Sequence, residues 1–135
     1  MNDDPLSELR VLIVDDQRTM RKIIRTLLSQ ISIRDVIEAD DGKAALDLLQ
    51  DHNTQAPDLV ICDLHMVNMD GMEFVNMVRR NKVPKLAGIP IIILTGDKDT
   101  FMHEVSTQAG ATKVLTKPIS APDLRIEIAA VVGFG

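Results

Sequence analysis

Short, unbroken apolar runs alternate with helical stripes along nearly the whole of this chain. Val11-Leu12-Ile13-Val14, Leu59-Val60-Ile61-Cys62 and Ile91-Ile92-Ile93-Leu94 show no polar alternation, so they read as strands buried on both faces. After the first of them, Met20, Ile23, Ile24, Leu27, Leu28 and Ile31 fall at i, i+3, i+4, i+7, i+8 and i+11, one stripe of an amphipathic helix. Strands alternating with helices in this way imply a parallel sheet, with helices on both faces and right-handed crossovers.

The same reading extends to both ends. Strands are predicted over Leu9–Val14, Asp35–Ala39, Leu59–Cys62, Ile91–Leu94 and about Thr112–Leu115. Helices are predicted along the first stripe, from Gly42 through Leu49, over Met72–Arg80, from about Lys98 to Ala109 with Gly110 as its stop, and over Asp123–Val132. Lys82 to Pro90, with two prolines and a glycine, reads as a connector. The expected fold is α/β, a (βα)5 doubly wound parallel sheet of five strands in one domain over residues 9–132. Residues 1–8 read as an N-terminal extension and residues 133–135 as a C-terminal tail.

A chain of 135 residues, 45% hydrophobic and 26% charged, can bury a core of ordinary size. Its net charge of −5 argues against sequence-independent nucleic-acid binding, which needs an excess of Lys and Arg. No apolar stretch approaches the roughly 20 residues of a membrane span. The acidic start, Met1-Asn2-Asp3-Asp4-Pro5, lacks the regions of a signal peptide, so the cytoplasm is the expected location. Cys62, the lone cysteine, sits inside a strand and reads as a small buried hydrophobe.

The strand ends carry the chemistry. The first run leads into Asp15-Asp16, the third into Asp63, the fourth into Thr95 and the fifth through Thr116 to Lys117-Pro118. In an open parallel α/β sheet these ends gather where ligands bind. Taken singly, each polar residue has a plainer role: Asp16 could cap the first helix, Thr95 the fourth, and Lys117 could be solvated. Independent capping does not account for two acids, an acid, a hydroxyl and an amine together. Three gathered carboxylates repel one another unless a cation lies between them, and oxygen-only donors suit Mg²⁺ beside a phosphoryl group.

Leu12-Ile13-Val14-Asp15-Asp16, Asp63, Met69-Asp70-Gly71, Leu94-Thr95-Gly96 and Lys117-Pro118 resemble, in order, the signature of response-regulator receiver domains. Thr19-Met20-Arg21 and the stripe after it resemble the stand-alone chemotaxis (CheY-like) type. The resemblance covers about residues 9 to 132 and implies a flavodoxin-like strand order of 2-1-3-4-5. It implies that Asp63 takes a phosphoryl group from a histidine kinase or a histidine phosphotransfer protein. Asp16 and Asp63 would ligate Mg²⁺, Asp15 would act through water, and the backbone carbonyl of His65 would add an oxygen. Lys117 would neutralise phosphoryl oxygens and the Thr95 hydroxyl would bond one of them. The chain would be no enzyme toward outside substrates, catalysing only its own phosphorylation and dephosphorylation.

Four positions depart from the family pattern. Val67 follows Met66 where the family has proline, a change the loop is expected to tolerate. His65 and Asp97 occupy positions that tune aspartyl-phosphate lifetime in the family; either they set an unusual rate or His65 is simply exposed. Gly96 stands where alanine or serine is usual and frees the loop. Val114 takes the place of the family's switch aromatic and is too stiff and small for a ring motion. Signalling would then run through the loop and helix from Gly96 to Ala109, with Phe101 expected in the core.

Two surfaces invite partners. Leu124, Ile128, Val131 and Val132 form the inward stripe of the last helix, leaving Ile126 and Ala130 outward. With Val114 and the fourth helix, that face would be either ordinary packing or a site for a downstream protein or self-association. Arg18, Arg21, Lys22 and Arg25 form either a solvated face or a patch that steers a kinase or phosphotransfer partner. The expected molecule is a monomer or a weak phosphorylation-dependent dimer. Alternatives are a relay intermediate that passes phosphate to a histidine phosphotransfer protein, or a receiver fragment of a larger regulator. A third reading, a Mg²⁺-dependent phosphohydrolase or flavodoxin-like binder, lacks an Asp-x-Asp, a Gly-rich phosphate loop and any Trp or Tyr.

Overall fold

Strand and helix alternate as the apolar pattern requires. The computed structural model describes residues 4–133. The elements are β1 (Arg10–Val14), α1 (Arg18–Gln30), β2 (Asp35–Ala39), α2 (Gly42–Gln50), β3 (Leu59–Cys62), α3 (Gly71–Arg79), β4 (Ile91–Thr95), α4 (Thr100–Ala109), β5 (Lys113–Thr116) and α5 (Ala121–Val132). All strand pairs are parallel, in the order β2-β1-β3-β4-β5. The fold class, strand order and sequence of major elements are those expected.

The central strands bury both faces, which is why they read as continuous apolar runs. Leu12, Val14, Val60, Cys62, Ile91 and Ile93 pack with Leu46 and Leu49 of α2 and Phe74, Val75 and Val78 of α3. The alternate residues Val11, Ile13, Leu59, Ile61, Ile92 and Leu94 pack with Ile24 and Leu28 of α1 and Leu124 and Ile128 of α5. Cys62 is a buried free thiol, as its position in the run suggested. Ala45, another apolar position of the α2 stripe, is buried too.

Local details go beyond the pattern. The connector after α3 contains a one-turn helix, Pro84–Ala87, with proline in its first turn. A 3-10 turn at Pro5–Glu8 buries Leu6 against the α1–α5 side of the sheet. Residues 1–3 of the N-terminal segment and residues 134–135 of the tail lie outside the described residues. Asp16 does not cap α1: the N-cap is Gln17, without a side-chain bond. Thr95 does not cap α4 either; Asp99 does, accepting from the Phe101 N–H.

Phe101 is 67% exposed rather than part of the core. α4 turns Met102 and Ser106 inward instead, one above the other at i and i+4, with Ser106 its sole buried residue. A neighbour one residue back along a helix points about 100° away, which sends the ring into solvent. Ile23 is likewise at the margin of its stripe, 47% exposed.

Candidate functional site

Register builds the site from strand ends. Val14 pairs with Cys62 across β1 and β3, so the next residues, Asp15 and Asp63, emerge side by side at the carboxyl edge. The Asp63 N–H donates to the Val14 carbonyl at 2.9 Å, and the Asp15 N–H to Ala39 at 3.2 Å, extending the ladder past the strands. One oxygen from each of Asp15, Asp16 and Asp63 lies within 4.8 Å of the others. Thr95 ends β4, the strand beside β3, and its carbonyl accepts from the Lys117 N–H at 2.7 Å. The Lys117 ammonium reaches back to 3.6 Å from both Asp15 Oδ2 and Asp63 Oδ1. The Lys117-Pro118 peptide is cis.

The charges are not balanced. Asp15 is 1% exposed. Burial pushes its carboxyl above the ordinary value; the Gln17 N–H opposes this, Asp63 pushes it higher, Lys117 opposes, and Asp16 adds to the rise. Its Oδ2 has no hydrogen-bond partner. A buried, unsatisfied carboxylate oxygen beside two further acids, with one lysine to answer three charges, fits a hard cation held by oxygen donors. Asp16 and Asp63 are only partly buried, which leaves room for the waters that Mg²⁺ retains.

Asp63 is oriented from several sides. Its Oδ1 accepts from the Leu64 N–H at 2.8 Å and faces Lys117. No hydrogen bond engages its Oδ2 among the described residues. From behind, Gly71 presses on the main chain: a Cβ there would meet the Asp63 carbonyl oxygen at 2.5 Å and Leu64 Cα at 3.0 Å. Only glycine permits that approach. This explains the Asp70-Gly71 pair, in which Asp70 also caps α3 through the Glu73 N–H.

His65 and Asp97 meet, Nε2 to Oδ2 at 2.8 Å. Asp97 is a hub. Its N–H donates to Thr95 Oγ1 at 3.0 Å, its Oδ1 accepts from the Asp99 N–H at 2.9 Å, and its carbonyl accepts from the His103 ring. The Asp99 N–H, then the His65 ring, hold the Asp97 carboxyl below its ordinary range against a small effect of burial. Val67 is exposed, as is its loop neighbour Asn68.

The basic stretch divides. Arg21 and Arg25 clasp Glu38 of β2 at 2.9 and 2.7 Å, and Arg21 also donates to the Asp15 carbonyl at 2.6 Å. Arg18 and Lys22 remain exposed. On α5, Ile126 is 63% exposed and Ala130 is exposed, with Leu124 and Ile128 buried, as the spacing implied. Glu38 and His103 were not singled out by the sequence reading, and Gly71 entered it only as part of a motif, with no role. The Met69-Asp70-Gly71 motif held a signal for Gly71; nothing local marks the other two.

A sequence profile of the response regulator receiver domain matches residues 11–129. The probable chemotaxis protein CheY of Rhizobium etli is 36% identical over 126 residues, 93% of this chain and 94% of that protein. The chemotaxis protein CheY of Pseudomonas aeruginosa is 32% identical over 120 residues, 89% of this chain and 93% of its own. The crystal structure of Vibrio cholerae CheY4 superposes with a TM-score of 0.79 at 30% identity, covering 91% of this chain and 98% of that one. Among the described residues, no helix is long and apolar enough to cross a membrane.

Proposed function

This chain belongs to the response regulator receiver domain family, and on that premise we propose that it is a phosphorylation-switched binding module whose acceptor is Asp63. The observation that carries the reading is the convergence of Asp15, Asp16, Asp63 and Lys117, with a buried, unsatisfied oxygen on Asp15. Asp15, Asp16, Asp63 and the backbone carbonyl of His65 would hold Mg²⁺. When bound, Mg²⁺ supplies charge neutralisation for the phosphoryl oxygens and the attacking carboxylate.

The residues of the chain do the rest. The free oxygen of Asp63 attacks the phosphorus of a donor phosphohistidine; an O–P bond forms as the N–P bond breaks, and the donor imidazole keeps the electron pair and is protonated. The product is an acyl phosphate on Asp63. Lys117, already 3.6 Å from Asp63, answers the added charge, and the Thr95 hydroxyl donates to a phosphoryl oxygen. Positioning and charge neutralisation are the main requirements of phosphoryl transfer. No outside metabolite is turned over.

The finer role is chemotaxis-like signalling, supported by likeness to chemotaxis proteins over nearly the whole chain. A histidine kinase or phosphotransfer protein would meet the edge where Arg18 and Lys22 stand free of the Glu38 clasp. A downstream protein would meet the α4–β5–α5 face, where Phe101 and Ile126 are exposed. Thermal unfolding tests the site without a kinase. Mg²⁺ with beryllofluoride, a phosphoryl mimic, is expected to raise Tm in the wild type and not in Asp63→Asn; equal shifts in both would refute the assignment of Asp63.

A further inference from the structure

We propose that His103 is a positioning residue that carries the state of Asp63 from Thr95 into the middle of α4. The inference rests on the proposed phosphoryl acceptance at Asp63. It starts from a short chain of bonds: the Asp97 N–H donates to Thr95 Oγ1, and the Asp97 carbonyl accepts from His103 Nε2. A carbonyl cannot donate, so Nε2 carries the hydrogen in this bond. Only two hydrogen bonds therefore separate the Thr95 hydroxyl from the second turn of α4.

The intervening loop is free to transmit a movement. A Cβ at Gly96 would meet nothing within 4 Å, so nothing wedges the peptide between Thr95 and Asp97. α4 is weakly held, with Ser106 its sole buried residue and an open groove between it and β5 lined by His103, Thr107 and Val114. The counterweight on the other side is the His65 bond to Asp97 Oδ2. Phosphorylation of the Asp63 carboxylate replaces one negative charge by close to two and brings phosphoryl acceptors toward Thr95 and His65. The phosphoryl oxygens compete with Asp97 Oδ2 for the His65 ring. The Thr95 hydroxyl, donating to the phosphoryl group while its oxygen still accepts from the Asp97 N–H, draws Asp97 and the loop with it. His103 converts that shift into movement of the helix, a task that Val114 has neither ring nor polar atom to perform.

Amide chemical shifts on adding beryllofluoride and Mg²⁺ test this. In the wild type, residues 63–66 and 96–109 are expected to shift. In His103→Leu the response of residues 100–109 is expected to be largely lost while that of residues 63–66 remains; His103→Gln, which keeps a side-chain N–H donor, should recover it. An unchanged α4 response in His103→Leu would overturn the role of His103 and leave the acceptor chemistry intact. A wild type that does not respond at residues 63–66 would instead overturn the acceptor reading itself. Should the leucine variant not fold, the ring nitrogen shifts of wild-type His103 decide: movement on beryllofluoride binding supports the coupling, and no movement refutes it.

Discussion

Asp15 holds the sharpest imbalance at the scale of single residues, because its burial is only partly offset by the Gln17 N–H and Lys117. Its carboxyl is raised in the folded chain, so the native state binds more protons than the unfolded state just above the ordinary carboxylate value. Stability of the metal-free protein therefore falls as pH rises through that window. Asp15→Asn should remove this slope and stabilise the metal-free protein by about 1 kcal/mol at neutral pH. It should also blunt the rise in Tm produced by Mg²⁺. Urea unfolding of both proteins in chelator across pH checks the first part; a variant less stable than wild type at neutral pH would contradict it. The His65–Asp97 pair makes a separate statement about lifetime. With its two members bonded to each other beside the acceptor, His65→Asn and Asp97→Ala should each change the aspartyl-phosphate half-life, and two unchanged half-lives would exclude them as its regulators.

Elements are held in place by contacts of unequal legibility. Two glycines separate stability from chemistry. Gly71 touches the Asp63 carbonyl, whereas Gly110 ends α4 at φ 122° and packs against Arg79. Gly71→Ala should cost about 2 kcal/mol and slow phosphorylation about tenfold, because it displaces the backbone that aims the nucleophile. Gly110→Ala should cost about 1–2 kcal/mol through its left-handed backbone and leave the phosphorylation rate unchanged. Paired unfolding and phosphorylation assays distinguish the two; equal rate losses would show that Gly71 acts only through stability. Gly110 as a helix stop was readable from the sequence. The Arg79 guanidinium, which bonds the carbonyls of Gly110, Ala87 and Ile89, was not, since its partners lie on two other segments, the connector before β4 and the end of α4. The plainer capping roles open to Asp16 and Thr95 do not occur because the loops run on further: α1 starts after Gln17 and α4 after Asp99.

Across the whole molecule, what was legible is what the sheet dictates. Runs such as Ile91-Ile92-Ile93-Leu94 must bury alternate side chains against helices on both faces, so strands, crossovers and the acid, hydroxyl and amine at their ends followed from pattern and resemblance. Phe101 was misplaced because rotation of a helix with so few buried residues is decided by tertiary packing, here through Met102 and Ser106. The His65–Asp97 bond joins residues 32 apart and leaves no local trace. The proposed role nonetheless turns on one atom, the free oxygen of Asp63, and intact mass after incubation with acetyl phosphate and Mg²⁺ tests it directly. A Mg²⁺-dependent gain of one phosphoryl group, absent from Asp63→Asn, is the expected result. A wild type that gains no phosphoryl group, or an Asp63→Asn variant that gains one equally, would contradict it.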